Sequence, residues 1–545
     1  MTGSGASPES ARSENGRRRR LERFAAAACL AFAGLHLLAV FSRAPVLPED
    51  DAFITMRYAA NLAAGRGLVY NSGERVLGTT SPLFALLLAP VARIRGAAAL
   101  PATAVWLNGA LMLVAALVLV RLLRSFAIDP SLASLAGGWL LLSPTGISVG
   151  LGGMDTWLAS CLALAAFLAG SERRWQLAGA LAALTCIARP EGGLVLAGLA
   201  WVYLRSGSPR RLPVVVATAA PLLVWVGFAT AYFGSPVPQS LRAKLAPLYE
   251  PPRGESLWAV ARTLADALLG SESAAAMVGA AVLAALLLGL AMRRSRTRPV
   301  LGAIGAYFLL LVVEFAVGNP GWSPWYPALF LVPLAAVVFA GLAEAGELVA
   351  MHRPVVASAP RLLAWLLVVT AAVGDLAATA LPNWPATAYR VYTPYRLRTL
   401  AYRDAAAWLE QQAPAGTTIV AAEIGILGFV DAGARIVDAT ALVSPEAQRF
   451  LPVRGPGNPY GGLIDPRLVR LAKPTFVVTL PMHAGLLQSD PDFLRNYRLA
   501  GLFPVPGGRY PQYTLGVYRR VRSDAGAAGT APSRPSDRSS PGPPA

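Results

Sequence analysis

The stretch "PEDDAFITMRYAANLAAGRGLVYNSGERVLGTTSPL", residues 48–83, is dense in charge and glycine although apolar segments lie on both sides of it. Two adjacent carboxylates, Asp50 and Asp51, follow the first apolar run of a chain that is 55% hydrophobic and only 14% charged. A soluble domain carries about 25% charged residues. The mean hydropathy is +0.50, and apolar runs of membrane-spanning length recur from residue 22 to about residue 380. The chain therefore reads as an α-helical polytopic membrane protein. The quoted segment is its first loop between apolar helices.

The net charge of +18 does not mark a nucleic-acid binder. Of 48 basic residues only Lys244 and Lys473 are lysines, and the arginines cluster between apolar segments. Such clusters hold loops in the cytoplasm and fix topology. Cys29, Cys161 and Cys186 all sit within apolar stretches, giving neither a disulfide framework nor metal-ligand spacing. His36, His352 and His483 are too scattered for a zinc centre. Residues 1–21 are polar and end in Arg17–Arg20. The apolar stretch Leu21–Phe41 is too long for a signal-peptide core and lacks a small-residue cleavage site. It is expected to remain as the first helix, behind a disordered basic N-terminus in the cytoplasm. Residues 521–545, rich in Ser, Pro, Gly and Ala, are expected to form a disordered tail.

Keeping the arginine clusters inside orients the remaining helices. Helix 22–41 leads out, so residues 42–97 form the first external loop. The run 82–94 is short of the roughly 20 residues a span needs. If it crossed, Arg121 and Arg124 would fall outside, so an amphipathic helix along the outer interface is expected there. Helices over 98–121, 131–149, 154–170, a short pair within 176–206, 211–232, 273–292, 299–317, 326–346 and 362–380 bring the total to about eleven spans. A long external loop occupies 233–272. From residue 383 the composition changes. The β-branched runs "TTIVAAE", "ARIVDAT" and "PTFVVTL" alternate with helix-like "YRDAAAWLEQQ" and "DPRLVRLA", which predicts a small external α/β domain over 383–520.

Within this frame several polar groups could carry chemistry. A carboxylate at the membrane surface can take the proton from an attacking hydroxyl, and a second one beside it can raise its pKa, orient the acceptor or help hold a divalent cation. Nothing in the sequence requires a metal. Equally, Asp51 could cap the helix that follows, with Asp50 solvated. Arg57 lies about two helical turns from Asp50, so both can face one side, where an arginine could pair with an aspartate or grip phosphate. Asn61, Tyr70, Asn71, Glu74 and Arg75 make the same loop unusually polar. Asp155 in "GLGGMDTWL" starts a span and fits either a helix cap or a site. In "CIARPEGG", Arg189 and Glu191 interrupt an apolar stretch around Pro190. Ionisable groups at that depth line a cavity or pair with each other. Gln239, Arg242 and Lys244 in "YFGSPVPQSLRAKL" suit a lipid phosphate or headgroup anchoring. Trp322, Trp325 and Tyr326 suit an aromatic belt, or the stacking of a sugar on a ring, Trp325 being the candidate.

Taken in order, "DDAFITMRYAANLAAGRGLVYNSGERVLGTTSPL", "GGMDTWL", "ARPEG", "YFGSPVPQSLRAKL" and "SPWYPALFLVP" resemble the motifs of polytopic bacterial GT-C fold glycosyltransferases that use polyprenyl-phosphate sugars. The first motif is similar to the loop of actinobacterial arabinofuranosyltransferases, and "ALVSPE", 441–446, resembles the wider group. The resemblance covers about 22–450. It implies a first-loop aspartate as the base of an inverting transfer on the outer face of the plasma membrane, Asp50 matching best with Asp51 in support. It implies a lipid-linked sugar donor, with Arg189, Arg242 and Lys244 as phosphate partners, and a cell-envelope glycan acceptor. Gln239 stands where many relatives have asparagine, and Asp155 where they have glutamate. A mannosyl- or aminoarabinose-type transferase acting on protein or lipid is the nearest rival. A flippase of lipid-linked saccharides is the rival outside enzymes, but the chain shows one broken helix pair and no second copy of it.

Overall fold

The computed structural model describes residues 8–521, except 209–210, 246–250, 296–297, 353–357, 379–381, 392, 415, 432, 454–463, 507 and 509. The expected C-terminal tail lies almost wholly outside the described residues. The first helix, α1 (Pro8–Arg43), starts earlier than expected, so the basic run lies on it rather than before it. The first loop then folds into two 14-residue helices, α2 (Asp50–Ala63) and α3 (Pro82–Arg95). Helix α3 is not amphipathic. Phe84 and Leu88 are buried on one side, and Leu86, Leu87 and Ile94 are exposed on the other. Arginines occur only in its last turn. The exposed apolar face is what a helix bordered by lipid presents.

The bundle continues with α4 (Leu100–Ser125) and the pair α5 (Pro130–Leu142) and α6 (Pro144–Leu151). The Asp129 carboxylate accepts from the Ser131 amide to start α5. Pro144 cannot continue the helical hydrogen bonding of α5, and the pair bends by 51° there. Next come α7 (Thr156–Ser171), α8 (Trp175–Ala188) and α9 (Gly192–Arg205), then α10 (Arg211–Phe233). Two helices fill the expected long loop, α11 (Gln239–Leu245) and α12 (Glu255–Leu269). The last bundle helices are α13 (Ala274–Ser295), α14 (Pro299–Gly318), α15 (Pro327–His352) and α16 (Ala359–Ala378). Helix α15 is the centre of the bundle, 83% of its most apolar stretch being buried, whereas that of α10 is 11% buried.

By length and composition, six described helices can cross a membrane, seven with the bent α5–α6 pair, against the eleven expected. The four remaining positions hold shorter apolar helices: α7, α8, α9 and the apolar part of α16. Each 14-residue helix is only about 21 Å long, short of the roughly 30 Å hydrocarbon core. Paired short helices are how this fold brings polar chain into the bundle.

After the bundle, α17 (Pro394–Gln412) leads into five strands: β1 (Thr418–Ala421), β2 (Arg435–Asp438), β3 (Phe476–Thr479), β4 (Tyr497–Phe503) and β5 (Leu515–Arg520). The sheet order is β2-β1-β3-β5-β4. The first three strands are parallel, Val420 facing Val437 and Val477, and β5 runs antiparallel to β3 and β4. Between β1 and β2 lies the short helix α18 (Gly425–Val430), and α19 (Pro466–Ala472) precedes β3. Buried apolar residues form two clusters, one in the bundle and one around the sheet. Phe53, Met56 and Tyr58 of α2 belong to the second, with Leu409, Ile419 and Val477. The first loop thus folds as part of the α/β domain.

Candidate active site

That shared core explains the polar residues of the first loop. Arg57 is 2% exposed, and its guanidinium donates to the carbonyls of Tyr70 (2.7 Å), Gly428 (2.5 Å) and Ala434 (2.9 Å). A buried cation is stable only when its donors are satisfied, and three carbonyls from two distant segments do so here. Asn61 donates to the carbonyls of Val69 (2.8 Å) and Tyr70 (2.9 Å) and accepts from Arg66. The Tyr70 hydroxyl donates to the Ile424 carbonyl at 2.7 Å. Asn71 accepts from the Ile436 amide (3.0 Å) and donates to its carbonyl (2.8 Å), pairing with β2 as a further strand would and covering that sheet edge. Glu74 receives Arg435 at 2.5 Å, and Arg75 lies over the Tyr232 ring. Asn61 thus bonds within the loop itself, while Arg57, Tyr70, Asn71 and Glu74 bond across to the domain.

Asp50 shares that role. One carboxylate oxygen accepts from the Gly425 amide and the other from Ile426, both at 2.9 Å. It is neither solvated nor engaged with its own helix; it receives the first amides of α18. A Cβ on Gly425 would lie 1.8 Å from the Asp50 carbonyl oxygen, and one on Gly428 would lie 2.0 Å from the Tyr70 hydroxyl. Only glycine allows α18 this close. "ALVSPE" sits on the same junction. The Asp438 carboxylate receives the amides of Thr440, Leu442 and Val443, and the Ala441 carbonyl accepts from Gln239 at 3.3 Å. Gln239 also donates to Gln448 at 2.9 Å, which leaves its amide at this junction.

Asp51 differs. It is half-buried and makes no hydrogen bond to a described residue. Burial, then the Asp50 charge, push its carboxyl up to about 7 against the pull of Lys244, with Glu423 and Glu49 adding to the rise. Asp50 is pushed up to about 6, by burial and then Glu423. Lys244 closes α11, and its ammonium donates to the Tyr326 hydroxyl at 3.4 Å. The Tyr326 ring lies 5.8 Å from the Arg189 guanidinium. Arg189 holds Glu191 through two hydrogen bonds, 2.8 and 3.1 Å, and reaches Asp155 at 3.3 Å. Asp155 occupies the N-cap position of α7 without its side chain capping the helix. The first turn of α2, the end of α11, the start of α7, the α8–α9 break and the approach to α15 converge here. The structure thus brings together Asp51, Asp155, Arg189, Glu191 and Lys244. Arg242 is not with them; it is exposed and bonded to Ser235. Trp325 is buried, and Trp322 beside Tyr326 is the more accessible ring.

The α8–α9 break depends on one glycine. A Cβ on Gly192 would lie 2.4 Å from the Cys186 amide nitrogen, whereas one on Gly193 meets nothing within 4 Å. Gly192→Ala will displace Arg189 and lower both stability and activity, while Gly193→Ala will leave both near wild type. Thermal unfolding and transfer assays on the two purified variants check this; equal behaviour would contradict it.

Sequence reading missed Glu49, Arg396, Arg398 and Glu423. Arg396 holds Glu49 at 2.5 Å and Arg398 holds Glu423, fixing α17 and the end of β1 beside the aspartates. Their one signal was charge among otherwise buried positions. Among the described residues, no group of three or more His, Cys, Asp or Glu side chains could hold a metal ion. With both Asp50 oxygens taken by amides, the aspartate pair does not fit a divalent cation.

Two comparisons fix the class. The fold is that of ArnT from Cupriavidus metallidurans, to which the chain is 15% identical with a TM-score of 0.53, covering 92% of this chain and all of that one (100%). The same protein bound to undecaprenyl phosphate matches at 14% identity and TM-score 0.52, covering 92% and 98%. The mycobacterial arabinofuranosyltransferase AftD aligns at 18% identity and TM-score 0.45, covering 93% of this chain and 42% of AftD. Residues 79–317 match "Glycosyltransferase family 87" and residues 390–520 match "Domain of unknown function (DUF8728)". No curated protein matches the chain. The fold is GT-C, and the chain is a multi-pass membrane glycosyltransferase.

Proposed function

We propose that the chain moves a sugar from a polyprenyl-phosphate donor to a cell-envelope glycan on the outer face of the plasma membrane, by one inverting displacement with Asp51 as base. The observation that carries this is a carboxylate that makes no hydrogen bond, Asp51, on which the Lys244 ammonium acts through its charge while that ammonium is held by Tyr326. The acceptor hydroxyl oxygen attacks the anomeric carbon and its proton passes to Asp51. The bond from that carbon to the phosphate oxygen breaks, and its electron pair leaves with the lipid phosphate. Lys244 meets the charge that develops there, a fixed cation stabilising the transition state more than the ground state. Arg189, already holding two carboxylates, positions Tyr326 and so Lys244. The first loop, the bundle and the 383–520 domain act as one unit in this reading. The bound lipid of the C. metallidurans protein supports the donor class, and the first-loop motif supports arabinofuranose as the sugar.

Incubating the purified protein with polyprenyl-phosphate pentoses and hexoses tests this. Transfer from the arabinofuranosyl donor is expected. No turnover with any donor, together with movement of a lipid-linked sugar across vesicles, would replace the transferase by a flippase. A base must be ionised to act, so a carboxyl raised to about 7 makes kcat/KM climb with pH and level off above about 7. A pH profile already flat from pH 5 would remove Asp51 from the role.

A further inference from the structure

The proposed mechanism uses only one flank of Asp51. Near it lie Glu49, two residues before it, whose charge acts on that carboxyl, and Tyr395, whose hydroxyl feels the Asp51 charge. These two residues also border a cavity of about 520 Å³ between α6, α12, the approach to α15 and the segment leading into α17. That volume lies within the roughly 300–1,000 Å³ of small-molecule sites.

Its wall is polar but electrically balanced. Glu49 is held by Arg396 and Glu272 by Arg390 (2.8 Å), so neither pair has a charge to spare for an ionic ligand. Asp266 accepts from the Thr145 hydroxyl and has lone pairs left for a ligand's hydroxyls. Trp322 adds a half-exposed ring whose inner edge packs on Phe315 and Tyr326. Its Tyr326 neighbour bonds Lys244, so one aromatic pair joins this cavity to the phosphate flank. A carboxylate acceptor beside a half-buried indole, in a wall that carries three carboxylates and three arginines, suits a neutral polyhydroxylated ring. An acyl chain would leave these groups unpaired, and an acidic polymer would meet one arginine outside an ion pair, the exposed Arg262, with the Asp266 carboxylate one helical turn from it.

We propose that this cavity binds the acceptor as a neutral oligosaccharide, Asp266 receiving its hydroxyls and Trp322 stacking on a ring, so that the chain end reaches Asp51. The assignment rests on the transferase reading, which supplies the need for an acceptor.

Saturation-transfer NMR on the full chain in nanodiscs, with neutral arabino- and manno-oligosaccharides as probes, tests it without needing turnover. Binding is expected in wild type and in Asp51→Asn, and about tenfold weaker in Trp322→Ala and in Asp266→Asn. The second variant keeps its side-chain volume, so it reports even if Trp322→Ala misfolds. Affinity unchanged in both variants overturns the proposal, as does binding of peptides with the same dependence on Asp266. Saccharide bound as expected but never glycosylated supports the cavity and removes the transferase reading. Transfer that proceeds with acceptor KM unmoved in Asp266→Asn removes the cavity and leaves the transferase intact.

Discussion

Asp51→Asn will lower sugar transfer by roughly 10²–10⁴-fold, the range a positioned base contributes, while the protein inserts and folds as before. Asparagine matches aspartate in size but cannot take the acceptor's proton. Asp51 makes no hydrogen bond to a described residue, so its loss orphans nothing. Asp50→Asn should behave differently. Both Asp50 oxygens accept amides from α18, and an amide side chain has one oxygen for two donors. It should cost on the order of 1–2 kcal/mol of stability, as other lost caps do, with a smaller fall in kcat. Measuring kcat and unfolding of both variants separates the roles. An inactive Asp50→Asn beside an active Asp51→Asn would return the base to Asp50, the residue that the family motif picks out.

The second large effect is expected away from the reacting atoms. Arg57→Met removes the donor to three buried carbonyls, two of them on the far side of the loop–domain junction. Leaving a buried carbonyl without its donor costs about 1–3 kcal/mol each, enough in sum to loosen the α/β domain from the first loop. Limited proteolysis and hydrogen exchange should show the 424–436 segment opening, with transfer lost because Asp51 moves with α2. Native protection in that segment would mean the other contacts hold the junction alone.

How much of this could be read beforehand varies by region. The bundle was legible because lipid demands long apolar runs, and those runs are plain in the sequence. The parallel strands β1, β2 and β3 were legible from their β-branched runs. The "YRLAGLF" of β4 was not, because its exposed edge position leaves a weakly apolar sequence. Among the site residues, "ARPEGG" falls at the α8–α9 break, and the Arg189–Glu191 pair, one of the two readings open there, exists. The protein partners of Arg57, Asn61, Tyr70, Asn71 and Glu74 were hidden for one reason. Their partners lie more than 350 residues away, as in Tyr70 with Ile424, or belong to backbone groups that no motif reveals. Polarity in a loop says that partners are needed, and it cannot say whether they are substrate or protein.

Asp50 and the amides it receives are 375 and 376 residues apart. At about 5–20 residues per second of synthesis, the first loop leaves the ribosome roughly 20–75 s before α18 exists. During that interval α2 lacks the strands it packs on, and its arginine lacks the Gly428 and Ala434 carbonyls. The junction that seats the first loop therefore closes only after the bundle helices have been made. A chain truncated before residue 418 would carry every apolar helix and the whole first loop, yet none of the strands and amides that hold that loop in place.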